Sequence, residues 1–145
     1  MFLGQYTGEL KQDNRLPLPT GFHELIPDGV YMTQGFDRNM LVITKTAFEQ
    51  LYRHITSLNL ADPLARLLSR MLLGTADYAE VDGDGFLTLP GGLAQYAGLG
   101  ERVVIVGQGD YFEVWSPDQW NEQKMQLKDF QANAQRFSAF NLATR

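Results

Sequence analysis

EVDGDGFLTLPGGLAQYAGLGERVVIVGQGDYFEVWSPDQW, residues 80 to 120, decides the fold, because a second, blurred copy of it begins near Glu9. In this later copy a strand end with Leu87, Leu89 and Pro90 leads through a short apolar segment into VVIVG, a turn, YFEVW and a capped helix carrying Trp120. In the earlier copy Leu16, Leu18 and Pro19 lead into VYMTQG, the turn FDRN, MLVIT and a helix carrying Phe48. Pro19 and Pro90 stand 71 residues apart, while Gly35 and Gly107, Val42 and Val114, and Phe48 and Trp120 each stand 72 apart. One inserted residue is expected to account for the whole drift. The copies are therefore expected to superpose, with Val42 over Val114 and Phe48 over Trp120, all buried.

Outward from the repeats, Phe2 to Leu10 reads as an extended segment and Lys11 to Asn14 as a polar turn. Pro17 and Pro19 keep the short strand at Arg15 to Leu18 out of the middle of a continuous ladder, since each removes a backbone donor. Thr20 to Leu25 has room for one or two helical turns before Pro27 and Gly29. Thr46 with Glu49 has capping-box spacing and starts a helix whose apolar face is Phe48, Leu51, Tyr52 and Ile55. Asp62-Pro63 signals a second helix start, with Leu64, Leu67, Leu68, Met71 and Leu72 as its stripe. Such stripes read as core rather than as a cofactor box, because amphipathic burial is their default use. Ser116-Pro117-Asp118-Gln119 caps a last helix, along which Trp120, Gln123, Leu127, Phe130, Ala134 and Phe137 form a seam for another helix of this chain or of a neighbouring subunit. The resulting class is α+β and β-rich, in a single domain, 1–145. Repeat one spans about 1–60, a helical link 61–73, repeat two 74–120 and a C-terminal helix 117–140.

With 44% hydrophobic and 12% aromatic residues over 145 positions, the chain has enough apolar surface for a packed core, which excludes a disordered protein. The chain contains no cysteine, which excludes a disulfide framework and thiolate chemistry and suits a reducing compartment. The first residues lack the basic start of a leader, and no run reaches the roughly 18 apolar residues of a membrane span, so a cytoplasmic protein without a membrane partner is expected. Net charge is −5. Residues 1–73 hold seven basic and seven acidic side chains, whereas residues 74–145 hold five and ten. A polyanion is therefore expected to meet the first half.

Signals for catalysis are weak. His23 and His54 lie outside any ligand spacing, and there is no nucleophile elbow, phosphate loop or dinucleotide fingerprint. Asp82-Gly83-Asp84-Gly85 begins like a calcium loop, but its fifth position is Phe86 and its twelfth, where a bidentate Glu belongs, is Leu93. Glu80, Asp82 and Asp84 read as a solvated turn rather than an acid–base pair. Neither a catalytic residue, a metal, a cofactor nor a small-molecule ligand is expected.

The order GEL, RLPLP, V-x-x-x-x-G and LVIT, a helical link, then EVD-x-x-G-x-L-x-LP, VVIVGQ and FEVW resembles the MraZ family, regulators encoded at the head of bacterial division and cell-wall gene clusters. The resemblance spans about the first 120 residues and is most specific in the second copy. It implies two AbrB-type swapped-hairpin β units in one chain, assembly into a ring-like homo-oligomer, and binding to repeated operator sites on double-stranded DNA at the nucleoid. The family's loops carry Asp-x-x-Gly-Arg with the Arg toward DNA. The first copy reads Lys11-Gln12-Asp13-Asn14-Arg15, keeping the arginine and replacing the glycine with Asn14, a residue that tolerates the left-handed backbone. The second reads Asp82-Gly83-Asp84-Gly85-Phe86, keeping Asp and Gly and losing the arginine. The basic residue that often follows the strand-end proline is replaced by His23 and Ala94. The resemblance thus assigns DNA contact to Arg15, Lys11 and Asn14, and the second loop would present Asp82 and Asp84 to a polyanion. The plain reading of Arg15 is a surface residue paired with a nearby carboxylate. The alternative function is a divergent member with weak DNA binding that acts as an oligomeric protein-interaction module; an enzyme comes third.

Overall fold

The computed structural model describes residues 1–140 and Leu142. Repeat one supplies β1 (Gln5–Glu9), β2 (Arg15–Pro17), β3 (Val30–Gln34), β4 (Met40–Thr44) and α1 (Lys45–Thr56). The link is α2 (Pro63–Leu72). Repeat two supplies β5 (Asp77–Ala79), β6 (Phe86–Thr88), α3 (Gly91–Tyr96), β7 (Arg102–Gly107), β8 (Tyr111–Trp115) and α4 (Pro117–Leu127), and α5 (Phe130–Phe137) follows. The expected turns between Thr20 and Leu25 are a single 3-10 turn, His23–Leu25.

The repeats are interlocked. β1 lies antiparallel to β7 and β5 to β3, so the six-stranded sheet runs β1-β7-β8-β4-β3-β5, while β2 and β6 pair in a separate two-stranded ribbon. The order is unchanged when β1 is exchanged for β5, β3 for β7 and β4 for β8, which makes it a pseudo-twofold arrangement. The axis passes where Leu41 faces Glu113 and where Leu16 faces Leu87. Each repeat thus lends its first strand to the other's hairpin, the swapped-hairpin fold of the AbrB type.

Pairing corrects the expected drift of one residue. Leu41 faces Thr33 in the first hairpin and Glu113 faces Val106 in the second, so β3 corresponds to β7 at a spacing of 73. At that spacing buried Val30 and Met32 fall on buried Val103 and Ile105. At 72 they would fall on exposed Arg102 and on Val104, which packs on the opposite side of the sheet. A one-residue slip turns every side chain to the other face, and the hydrophobic pattern forbids it. Two residues are therefore added ahead of β7 and one is removed from its hairpin turn.

The main core lies on one face of the sheet, where Phe2, Phe22, Val30, Met32, Val42, Ile105, Phe112 and Val114 meet Leu16, Leu87 and Leu89 of the ribbon. Phe2, Phe22 and Phe112 pack with ring centroids 5.0–5.3 Å apart, edge-on or tilted. The opposite face carries two smaller clusters. Leu41, Ile43 and Phe48 form one beneath α1, and Val104, Val106, Trp115 and Trp120 form the other beneath α4. Val42, Val114, Phe48 and Trp120 are all buried at equivalent places, as the repeat predicts.

Helix starts are partly as expected. Asp62 and Ser116 cap α2 and α4, accepting from the N–H of Leu64 (2.9 Å) and Gln119 (3.2 Å). The cap of α1 is Thr44, not Thr46: Thr44 ends β4 in an extended conformation and accepts from Ala47 N–H at 3.2 Å. The stripe of α2 is only partly buried, because Ala65 and Leu72 face inward while Leu64 and Leu67 are 72% and 62% exposed. The seam expected along one C-terminal helix is broken. Asp129 leaves helical geometry, accepts from Ala132 N–H and starts α5, and buried Asn133 donates back to Gln126 O at 2.7 Å. Phe130 and Phe137 are consequently 79% and 50% exposed within this chain.

Candidate nucleic-acid interface

The two family loops lie side by side because β2 pairs with β6, with Arg15 opposite Thr88 and Pro17 opposite Phe86. Their backbones repeat each other. Lys11 N–H donates to Arg15 O at 2.8 Å, as Asp82 N–H donates to Phe86 O at 2.9 Å. Leu89 N–H donates to Asn14 O, and Leu18 N–H to Gly85 O. Asn14 takes the left-handed conformation (φ 57°) at the place of Gly85 (φ 81°). A Cβ at Gly85 would meet nothing within 4 Å, so the backbone angle, not crowding, favours glycine there.

Side chains set the loops apart. Asp82 Oδ1 accepts from the N–H groups of Asp84 (2.9 Å) and Phe86 (3.0 Å), the turn bonds that Lys11 is unable to make. Its Oδ2 accepts from Arg15 Nη2 at 2.8 Å, and Asp84 Oδ2 accepts from the same nitrogen at 3.3 Å. The guanidinium carbon stands 4.6 Å from the centroid of Phe86, the residue in the place of the second arginine. The hydrogen bond from Arg15 is the largest cause holding the Asp82 carboxyl below its usual range, followed by the Phe86 N–H; Arg15 is raised in return. Lys11 lies 3.9 Å from Glu9. The structure therefore brings Arg15, Lys11 and Asn14 into one loop and faces that loop with the acidic one.

Arg102 escaped the sequence reading. It opens β7 opposite Glu9 and lines a surface concavity with Glu9, Lys11 and Pro17. A usable signal existed: it is the one basic residue between Gly74 and Gln123. Away from the loops, half-buried Glu113 accepts from Asn39, Gln108 and Trp115 at 2.9–3.2 Å, and burial nevertheless pushes its carboxyl upward. Among the described residues no three His, Asp or Glu side chains converge on a metal-sized site, and no helix is long and apolar enough to cross a membrane.

Interlocked β-hairpin repeats with paired turn loops at one end define the class as a tandem swapped-hairpin protein of the AbrB type. A family model described as "MraZ protein, putative antitoxin-like" matches residues 71–141. A Roseiflexus castenholzii protein is 35% identical over 138 residues, covering 95% of this chain and 94% of its own. One from Mycobacterium ulcerans is 35% identical over 133 residues, covering 91% and 93%, and one from Mycolicibacterium smegmatis is 33% identical over 139, covering 96% and 93%. All three carry the name Transcriptional regulator MraZ. The chain belongs to the MraZ family.

Proposed function

We propose that this chain, acting as one unit over 1–145, is a sequence-specific DNA-binding regulator of transcription in the cytoplasm, at the nucleoid. It reads repeated operator sites of a division and cell-wall gene cluster and makes its contacts through Arg15, Lys11 and Asn14, with no catalytic step. The observation that carries this reading is the first loop, which keeps the family's left-handed turn through Asn14 and holds a partly exposed arginine at its edge. Lys11 and Arg102 lie beside it and offer phosphate contacts. In this reading the chain forms a ring-like homo-oligomer, in which several copies of one modest contact gain by avidity. The exposed Leu64, Leu67, Phe130 and Phe137 suit contact between chains.

The pairing of Arg15 with Asp82 and Asp84 favours a second reading, in which the chain binds DNA weakly and serves as an oligomeric protein-interaction module. Titration of the purified protein on the DNA upstream of its own gene, across a salt series, separates the two. A regulator gives a steep slope, roughly −0.9 in log affinity per log salt for each phosphate neutralised. Arg15→Ala is expected to remove about 1–3 kcal/mol of base discrimination on that duplex relative to a scrambled one. A flat salt response with unchanged binding by Arg15→Ala leaves the interaction module. Sedimentation of the same sample reports the assembly.

A further inference from the structure

Arg15 hydrogen-bonds the acidic loop through a single nitrogen. Nη2 donates to Asp82 Oδ2 at 2.8 Å and to Asp84 Oδ2 at 3.3 Å. A terminal guanidinium nitrogen carries two N–H groups, and each planar fork of arginine needs one of them: the end-on fork pairs Nη2 with Nη1, the side-on fork with Nε. With Asp82 and Asp84 both in place, neither fork is open to the O6/N7 edge of guanine.

The two carboxylates are not equivalent. Asp82 is fixed, since its other oxygen is held by two backbone N–H groups of the turn. The Asp84 side chain is 79% exposed, and its one side-chain hydrogen bond among the described residues is the longer bond to Arg15. Asp84 can therefore swing away while Asp82 and the ring of Phe86 keep the guanidinium in place. Once displaced, Asp84 remains a negative charge a few ångströms from whatever replaces it. A phosphate, itself an anion, is repelled there. A guanine edge carries no net charge, only the partial negative charge of its acceptors, and is repelled far less.

We propose that Asp84 is a specificity-determining residue of the reading loop: it closes a fork of Arg15 and admits a neutral guanine edge in preference to a phosphate. The inference rests on the first loop being the DNA-contacting loop. Discrimination here comes from penalising the wrong ligand, at the expense of affinity for all DNA.

The test is a cycle of Asp84→Asn and Arg15→Ala, with Asp84→Glu as the charge-retaining control, titrated on the upstream duplex and on a scrambled duplex. Thermal melts check folding; among the described residues the Asp84 side chain accepts no backbone N–H, so the Asp84 variants are expected to fold. With Arg15 present, Asp84→Asn is expected to tighten binding to the scrambled duplex roughly tenfold and to the upstream duplex less, lowering their ratio about fivefold. Asp84→Glu keeps the wild-type ratio. With Arg15→Ala, Asp84→Asn shifts both duplexes equally, as loss of bulk charge requires. If Arg15→Ala loses discrimination but Asp84→Asn leaves the ratio unchanged, the inference falls and the loop assignment stands. If Arg15→Ala binds both duplexes like wild type, the loop assignment falls and the inference with it. Absence of DNA binding by wild type and by Asp84→Asn overturns both.

Discussion

Asp82 accepts from Arg15 with one oxygen and from two backbone N–H groups with the other, so its ionised form is favoured in the folded chain. A lowered folded-state pKa gives stability that is present above the unfolded value, about 3.9, and lost as pH falls through the folded one. Glu113 has the opposite sign. Burial raises it, so its contribution is fully present below the unfolded value and is lost as pH rises through the folded one. Urea melts between pH 2 and 7 are expected to separate them: Asp82→Asn flattens the loss of stability on acidification, whereas the advantage of wild type over Glu113→Gln is larger at pH 4 than at pH 7. Equal pH dependence in wild type and both variants would remove these electrostatic assignments. Lys11 to Asn14 were legible from the sequence as a turn and Arg15 as the start of the strand that follows; only the family resemblance joined them into one loop. The plain reading of Arg15 as paired with a carboxylate is met, but the identity of the partner was not legible, because Asp82 lies 67 positions away and reaches it only through the β2/β6 pairing.

At the scale of elements, the capping residues that sequence identifies correctly are those whose bonds are local. Asp62 and Ser116 each precede a proline that is poised for the first helical position. Thr46 offered the spacing of a capping box, yet Thr44 holds the cap because β4 delivers it in the extended conformation that an N-cap requires. Thr44→Ala is expected to destabilise the fold by about 1 kcal/mol, while Thr46→Ala stays within about 0.5 kcal/mol, as surface changes do. Chemical denaturation of the two variants checks the order, and the reverse order would restore Thr46 as the cap. The break between α4 and α5 was hidden for a related reason. Heptad-like spacing continues through Lys128 and Asp129, but Asp129 turns its side chain to the backbone and Asn133 is buried against the end of α4.

At the scale of the whole molecule, each repeat owns one hairpin ladder but depends on the other for the rest. β1 pairs with β7 and β2 with β6, so residues 1–60 alone would leave both strands without partners and would uncover Leu16, which is fully buried against the second repeat. Unpaired backbone and a halved core leave too little to offset chain entropy. The excised segment 1–60 is expected to show a disordered circular dichroism spectrum and no cooperative melt, where the full chain melts cooperatively. A cooperative melt from the segment would contradict the interlock.

The sequence by itself determined what depends on neighbours along the chain: a duplicated β-rich unit, a polar turn from Lys11 to Asn14, the helix starts at Asp62 and Ser116, and acidity concentrated in the second half. Only the tertiary structure decided which repeat each first strand joins, the spacing of 73 between β3 and β7, and the closing of Arg15 by the acidic loop. Periodicity records which face of a strand is apolar but not which strand lies beside it. Backbone pairing across some seventy residues is a global choice, made by burying Leu16 and Leu87 on one axis under a sheet built from both repeats.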